Sequence, residues 1–120
     1  MYIDELREFC IIKPGVEESF PFDENTLVFK VGGKMFLLAD IESRPLSFNV
    51  KCDPEKAIEL RAAYSCVNPG YHMNKTHWNT VTCESGIPEH LFKEWINHSY
   101  DLVVASLPKK TQSHIKNSTL

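Results

Sequence analysis

Several things are missing from this chain of 120 residues, and each absence removes a class of function. Its four cysteines, Cys10, Cys52, Cys66 and Cys83, form no C-x-x-C pair, and each lies in or beside an apolar run. They read as small buried hydrophobes in a reducing compartment, because a zinc site needs clustered ligands. No stretch approaches an apolar membrane span, and the start, Met1-Tyr2-Ile3-Asp4-Glu5, is acidic where a secretory leader is basic. A cytoplasmic location is therefore expected. Glycine is sparse, and Gly32-Gly33 has no helix after it, so no phosphate-cradling loop is expected. Positive charge is also short: 13 Lys and Arg against 16 Asp and Glu leave a net charge of −3. The molecule as a whole has no attractive field for nucleic acid or anionic lipid, so any such binding must come from a local basic patch.

What remains suits one globular domain, with 42% hydrophobic and 24% charged residues. Residues 1–110 form the expected domain and 111–120 a polar C-terminal tail that lacks a pattern and reads as frayed. Asp4 to Ile12 has the spacing of a short helix, with Ile3, Leu6, Phe9 and Cys10 on one stripe and Asp4 placed to help cap it. Glu17 to Phe22 is extended and ambiguous. Thr26–Val31 and Lys34–Ile41 flank Gly32-Gly33, a two-residue hairpin loop. Regular pairing puts Val31 opposite Lys34, Phe29 opposite Phe36 and Leu27 opposite Leu38 on an apolar face. The other face then carries Val28 with Leu37 and Lys30 with Met35. Leu46 to Lys51 alternates as a half-buried strand.

Asp53-Pro54-Glu55 announces a second helix, with Asp as cap and Pro at the first helical position; Ala57, Leu60 and Tyr64 are its inward stripe. His77 to Cys83 alternates as a strand. Pro88 opens a long helix to about Leu107, with Leu91, Trp95, Leu102 and Val103 inward, Phe92 and Ile96 at the edge, and Ser99 on the same side for close backbone approach. The fold class expected is α+β, a single antiparallel sheet with helices packed on one face and the other face open.

The densest chemistry lies in Pro69–Thr82, which holds Tyr71, His72, Asn74, Lys75, His77, Trp78 and Asn79. Alternation puts His77, Asn79 and Val81 on one face and Trp78, Thr80 and Thr82 on the other. Either Trp78 projects onto the open face, or the phase is reversed and it is buried. An outward Trp78 beside Lys75 and Tyr71 would offer stacking and a phosphate partner together, as nucleic-acid grooves do. By hairpin register and alternation, Lys30 and Lys51 join that face. His72 and His77 lack a third metal ligand, and the window lacks the Asp, Glu, Ser or Cys that acid/base or nucleophilic catalysis needs. The expectation is a non-enzyme with no cofactor. His90, His98 and His114 show no convincing partner. The early carboxylates Asp4, Glu5, Glu8, Glu17, Glu18, Asp23 and Glu24 could hold iron or another hard cation only as a ridge, since no fixed loop spacing organises them.

The stretches Leu27–Phe36, Lys51-Cys52-Asp53-Pro54, Pro69–Lys75, His77–Val81 and Ser99–Val103 resemble the MmcQ/YjbR family of small bacterial proteins, from the first helix to Lys110. The resemblance implies a CyaY-like α+β fold and a double-wing DNA-binding protein, its wings being the Gly32-Gly33 hairpin and the Pro69–Asn79 segment. On that basis the nucleic-acid-binding candidates are Lys30, Lys34, Lys51, Tyr71, His72, Lys75, His77, Trp78 and Asn79, with DNA as a weak partner. The alternatives are a protein or small-molecule ligand on the same open face, using Val28, Met35, Leu37 and Trp78, and frataxin-like metal binding by the N-terminal carboxylates.

Overall fold

The computed structural model describes residues 1–117. The chain opens with α1 (Ile3–Ile11), whose Leu6 and Cys10, one turn apart, are wholly buried. Its start is held by Glu5 rather than Asp4: the Glu5 carboxylate accepts from the Tyr2 N–H at 3.2 Å. The ambiguous stretch becomes β1 (Val16–Ser19), followed by β2 (Thr26–Val31), β3 (Lys34–Asp40) and β4 (Ser47–Lys51). Then come α2 (Pro54–Ala63), the short β5 (Val67–Pro69), β6 (Trp78–Thr82), α3 (Glu89–Ala105) and α4 (Lys109–Asn117). Asp53 caps α2 as its sequence requires, accepting from the Lys56 N–H at 3.3 Å.

The strands make one antiparallel sheet in the order β1-β2-β3-β4-β6-β5. Its inner face and the helices share a single core. Leu6 and Cys10 of α1, Phe92, Trp95, Ile96 and Val103 of α3, and Ile115 of α4 pack with Phe29, Phe36, Phe48, Val50 and Val81. The fold is α+β, with the helices on one side of the sheet.

One local departure decides which residues face outward. Lys30 pairs with Met35, but Phe29 pairs with Leu37, Val28 with Leu38 and Leu27 with Ala39. Phe36 is the extra residue of a β-bulge, and beyond a bulge the inside–outside phase of a strand reverses. Leu37 therefore enters the core and Leu38 turns to the outer face, the opposite of the regular pairing. The bulge is filled from the helical layer. Ser99 of α3, fully buried, donates to the Phe36 carbonyl at 2.6 Å and accepts from the Lys51 N–H at 2.8 Å. It bridges β3 and β4 just where their direct pairing stops at Leu37 and Val50.

The buried stripe of α3 is Phe92, Trp95, Ile96, Ser99 and Val103, rotated from the expected one so that Leu91 and Leu102 are only half-buried. After α3 residues 109–117 are helical rather than frayed. Leu107 is buried against the hairpin turn so closely that a Cβ on Gly32, whose φ is +58°, would come within 2.5 Å of Leu107 Cδ1. Ile115 of α4 is buried in the shared core. One apolar residue at a helical spacing from Leu107 gives too weak a periodic signal to announce this helix. The last three residues of the expected tail lie outside the described residues. Among the described residues no helix is long and apolar enough to cross a membrane.

Candidate functional site

The sheet face turned away from the helices is built from rows fixed by the register. One row runs unbroken across six strands: Ser19, Val28, Leu38, Asn49, Thr80 and Asn68. At the hairpin-turn end lie Glu17 opposite Lys30, Lys30 opposite Met35, and Lys51 opposite Trp78. The face is not bare. Val28 and Leu38 are 0% and 7% exposed although neither belongs to the shared core. Phe22 from the β1–β2 connection and Tyr71, His72 and Met73 from the β5–β6 connection close over the face, leaving a groove of about 540 Å³ above Met35, Leu38 and Asn49.

The β5–β6 connection that roofs one side is a tightly bonded loop. Gly70 donates to the Trp78 carbonyl at 2.9 Å, and a Cβ on Gly70 would stand 2.8 Å from Trp78 Cβ, so only glycine allows that approach. Asn74 accepts at Oδ1 from the N–H groups of Thr76 and His77 at 2.9 and 3.2 Å, an Asx turn that leads the chain into β6. His72 adopts φ +57°, a left-handed conformation uncommon outside glycine, and its ring lies 4.1 Å from that of Tyr71. Tyr71 N–H donates to Thr80 Oγ1 at 2.9 Å, drawing the loop down onto the sheet.

The structure separates the candidate residues into those that are presented and those that are occupied. Lys34 is exposed at the hairpin turn, and Lys30 and Lys51 are half-buried on the same outer face. Trp78 is half-buried and outward, with Thr80 and Thr82, while Val81 enters the core. Tyr71 is 70% exposed, and His72 and His77 are exposed. Lys75 is exposed but donates through Nζ to the Gly70 carbonyl at 3.0 Å. Asn79 is withdrawn from the surface. It is 1% exposed, accepts from Arg61 Nε at 2.7 Å and donates to the Ala57 carbonyl at 3.4 Å. Alternation puts Asn79 on the inner face with Val81, so it is a structural residue and not a contact for any ligand.

Arg61 is the residue that sequence reasoning missed. From α2 its guanidinium holds Asn79 and the carbonyls of Lys75 and Trp78, the last at 3.2 Å, and so fixes the loop against the helix. A single Arg in a helix carries no sequence signal of such a reach; only the buried Asn79 on β6 hinted that a polar partner was required. His98 also has a partner after all: its Nε2 accepts from the Asp53 N–H at 3.2 Å. Burial first, and Lys56 second, hold its pKa below the usual 6.5, against the opposing pull of Asp53 and Asp101.

Other reactive groups are quiet. The four thiols are buried and free. Burial pushes Cys10 up to about 12 and Cys52 and Cys83 up to about 11, so these three stay protonated at neutral pH. Of the early carboxylates, Glu18 binds Arg7 at 2.5 Å and Asp23 accepts from the Asn25 and Thr26 N–H groups at 2.8 and 2.7 Å. Among the described residues no three His, Cys, Asp or Glu side chains are grouped so as to hold a metal ion.

Comparison with known proteins bears on the family and the fold. A family model described as YjbR matches residues 12–102. The chain is 42% identical to the uncharacterized protein YbdF of Escherichia coli O157:H7, over 92% of this chain and 90% of that one. It is 35% identical to the uncharacterized protein YjbR of Escherichia coli K12, over 92% and 93% respectively. The crystal structure of Deinococcus radiodurans protein DR2400, with a domain described as DUF419, superposes with a TM-score of 0.90 at 41% identity, covering 96% of this chain and 88% of that one.

Proposed function

The chain belongs to the YjbR family, and from that premise we propose that it is a non-enzymatic module that contacts DNA weakly. The contact surface is the hairpin-turn end of its outer sheet face. The observation that carries this reading is the common end at which Lys30, Lys34, Lys51 and Lys75 stand. Lys34 follows the turn, Lys30 pairs with Met35 beside it, Lys51 pairs with Trp78, and Lys75 lies in the loop entering β6. The ion pairs Arg7–Glu18 and Lys93–Glu89 involve none of these four lysines, and none of the four is neutralised by a bonded carboxylate. Glu17 lies opposite Lys30 without pairing to it at salt-bridge distance, and the Asp53 carboxylate is engaged at the α2 cap. Lysines meet phosphates as mobile point charges, while Trp78, Tyr71 and the two exposed histidines offer rings and donors beside them. The wings of the double-wing description correspond to the β2–β3 hairpin and the loop between β5 and β6.

Binding of this kind is dominated by release of counterions. Anisotropy of a labelled duplex should give a log–log slope of affinity against salt of about −3 to −4, from three or four phosphate contacts. Lys34→Ala should lower affinity equally for unrelated sequences and reduce the slope by about 1. Absence of binding at low salt, or binding indifferent to salt, would refute the proposal.

A further inference from the structure

The groove above Leu38 has the opposite electrostatic character to the lysine end of the same face. No Lys or Arg lines it, and its charged groups are the carboxylates of Asp23 and Asp40 on one rim. Asp23 is held ionised by its bonds to the backbone N–H of Asn25 and of Thr26 and to the Thr26 hydroxyl. Asp40 Oδ1 accepts from the Glu42 N–H at 2.9 Å. Between these charges and the opposite wall the surface is apolar: Leu38 and Met35 form the floor, Phe22 one side and Tyr71 the other. Phe22 and Tyr71 are 63% and 70% exposed, so both rings are accessible from the groove. The volume, about 540 Å³, falls within the few hundred to about 1,000 Å³ of small-molecule sites. The left-handed backbone at His72, next to the Tyr71 wall, is of the kind found where a chain clamps a ligand.

We propose that this groove binds a small organic cation with a flat apolar body, an arylalkylammonium, whose nitrogen faces Asp23 and Asp40 and whose ring lies over Leu38 and Met35 between Phe22 and Tyr71. Charge complementarity selects this occupant. An anion of the same shape would meet two carboxylates and no cationic side chain except a protonated His72. The aromatic walls attract a cation through their ring faces and repel an anion. The site shares Tyr71 and His72 with the DNA reading but uses none of the four lysines, and its two carboxylates have no part in that reading.

The test is calorimetric titration of the full chain at pH 7.5 with 2-phenylethylammonium and, in parallel, with the shape-matched anion 3-phenylpropionate. The cation should bind at least about tenfold more tightly than the anion. Asp40→Asn, which keeps an oxygen for the Glu42 N–H, should weaken the cation about fivefold or more. Tyr71→Ala, at an exposed side chain, should weaken it comparably while circular dichroism stays unchanged. Equal binding of both probes, preference for the anion, no heat from either, or indifference to both substitutions each overturns the proposal. Salt-dependent DNA binding measured on Asp40→Asn should be undiminished, so failure of either reading is visible without the other.

Discussion

Replacing Arg61 with methionine removes the guanidinium that ties the loop between β5 and β6 to α2 while keeping most of the aliphatic stem. Three bonds go: Nε to Asn79 Oδ1 at 2.7 Å, and Nη2 to the carbonyls of Trp78, at 3.2 Å, and of Lys75. The losses are unequal. Asn79 is 1% exposed, so its Oδ1 is left buried without a donor, at a cost of about 1–3 kcal/mol. The two carbonyls lie where the guanidinium itself is only half-buried, and water can replace it there, at about 0.5 kcal/mol each. The sum is about 2–4 kcal/mol, read as a shift in the urea midpoint at constant m. The decisive measurement is the double mutant with Asn79→Leu. Removing both partners leaves no buried oxygen unsatisfied, since the Ala57 carbonyl keeps its helical bond. The pair should therefore be at least about 1 kcal/mol more stable than the two single costs added together. Trp78 fluorescence should change in Arg61→Met before global unfolding, because Trp78 sits at the released end of the loop. If Arg61→Met costs less than about 0.5 kcal/mol, or the cycle is additive within about 0.3 kcal/mol, the loop is held by something other than this buried polar cluster.

Ser99→Ala should destabilise by about 2–4 kcal/mol, because the Phe36 carbonyl and the Lys51 N–H both lose a buried partner; the Lys51 amide should exchange with solvent markedly faster, and an unchanged rate would refute the bridging role. The pH dependence of stability should carry a signature of His98. Its folded pKa lies below the unfolded 6.5, so as pH falls through 6.5 the unfolded chain takes up the proton first. Stability is therefore fully present above pH 6.5 and declines below it, towards the folded value. His98→Gln should flatten that decline between pH 7 and 5, and an identical profile for the variant would show that the burial of His98 does not govern it.

Much of this molecule is local in origin and so could be read along the chain. The Asp53-Pro54 start of α2, the Gly32-Gly33 turn and the alternation of β4 each depend on neighbours a few residues apart. Family membership was legible for the same reason, in short stretches such as Pro69–Lys75 and Ser99–Val103. The candidate lysines were legible too, because strand phase alone puts Lys30 and Lys51 on one face. The errors arose where a residue's role is set by something distant in sequence. Regular hairpin pairing put Leu37 outside and Leu38 inside, and the bulge at Phe36 that reverses them is stabilised by Ser99, 63 positions away. Asn79 looked like a binding group because it sits among binding groups; Arg61, 18 positions away, makes it an internal strut.

Taken alone, the amino-acid order determined the first three helices and the strands of the hairpin, β4 and β6, the α+β class, the family and the general location of the positive charge, since all of these follow from periodicity, turn chemistry and short motifs. Tertiary structure alone decided which polar groups remain available and what surrounds them. It withdrew Asn79, engaged His98, made residues 109–117 a docked helix, and folded two loops over the sheet to form a groove with carboxylates on its rim. The physical reason is that backbone conformation responds to near neighbours, whereas burial and hydrogen-bond satisfaction are settled among residues brought together only when the chain closes on itself.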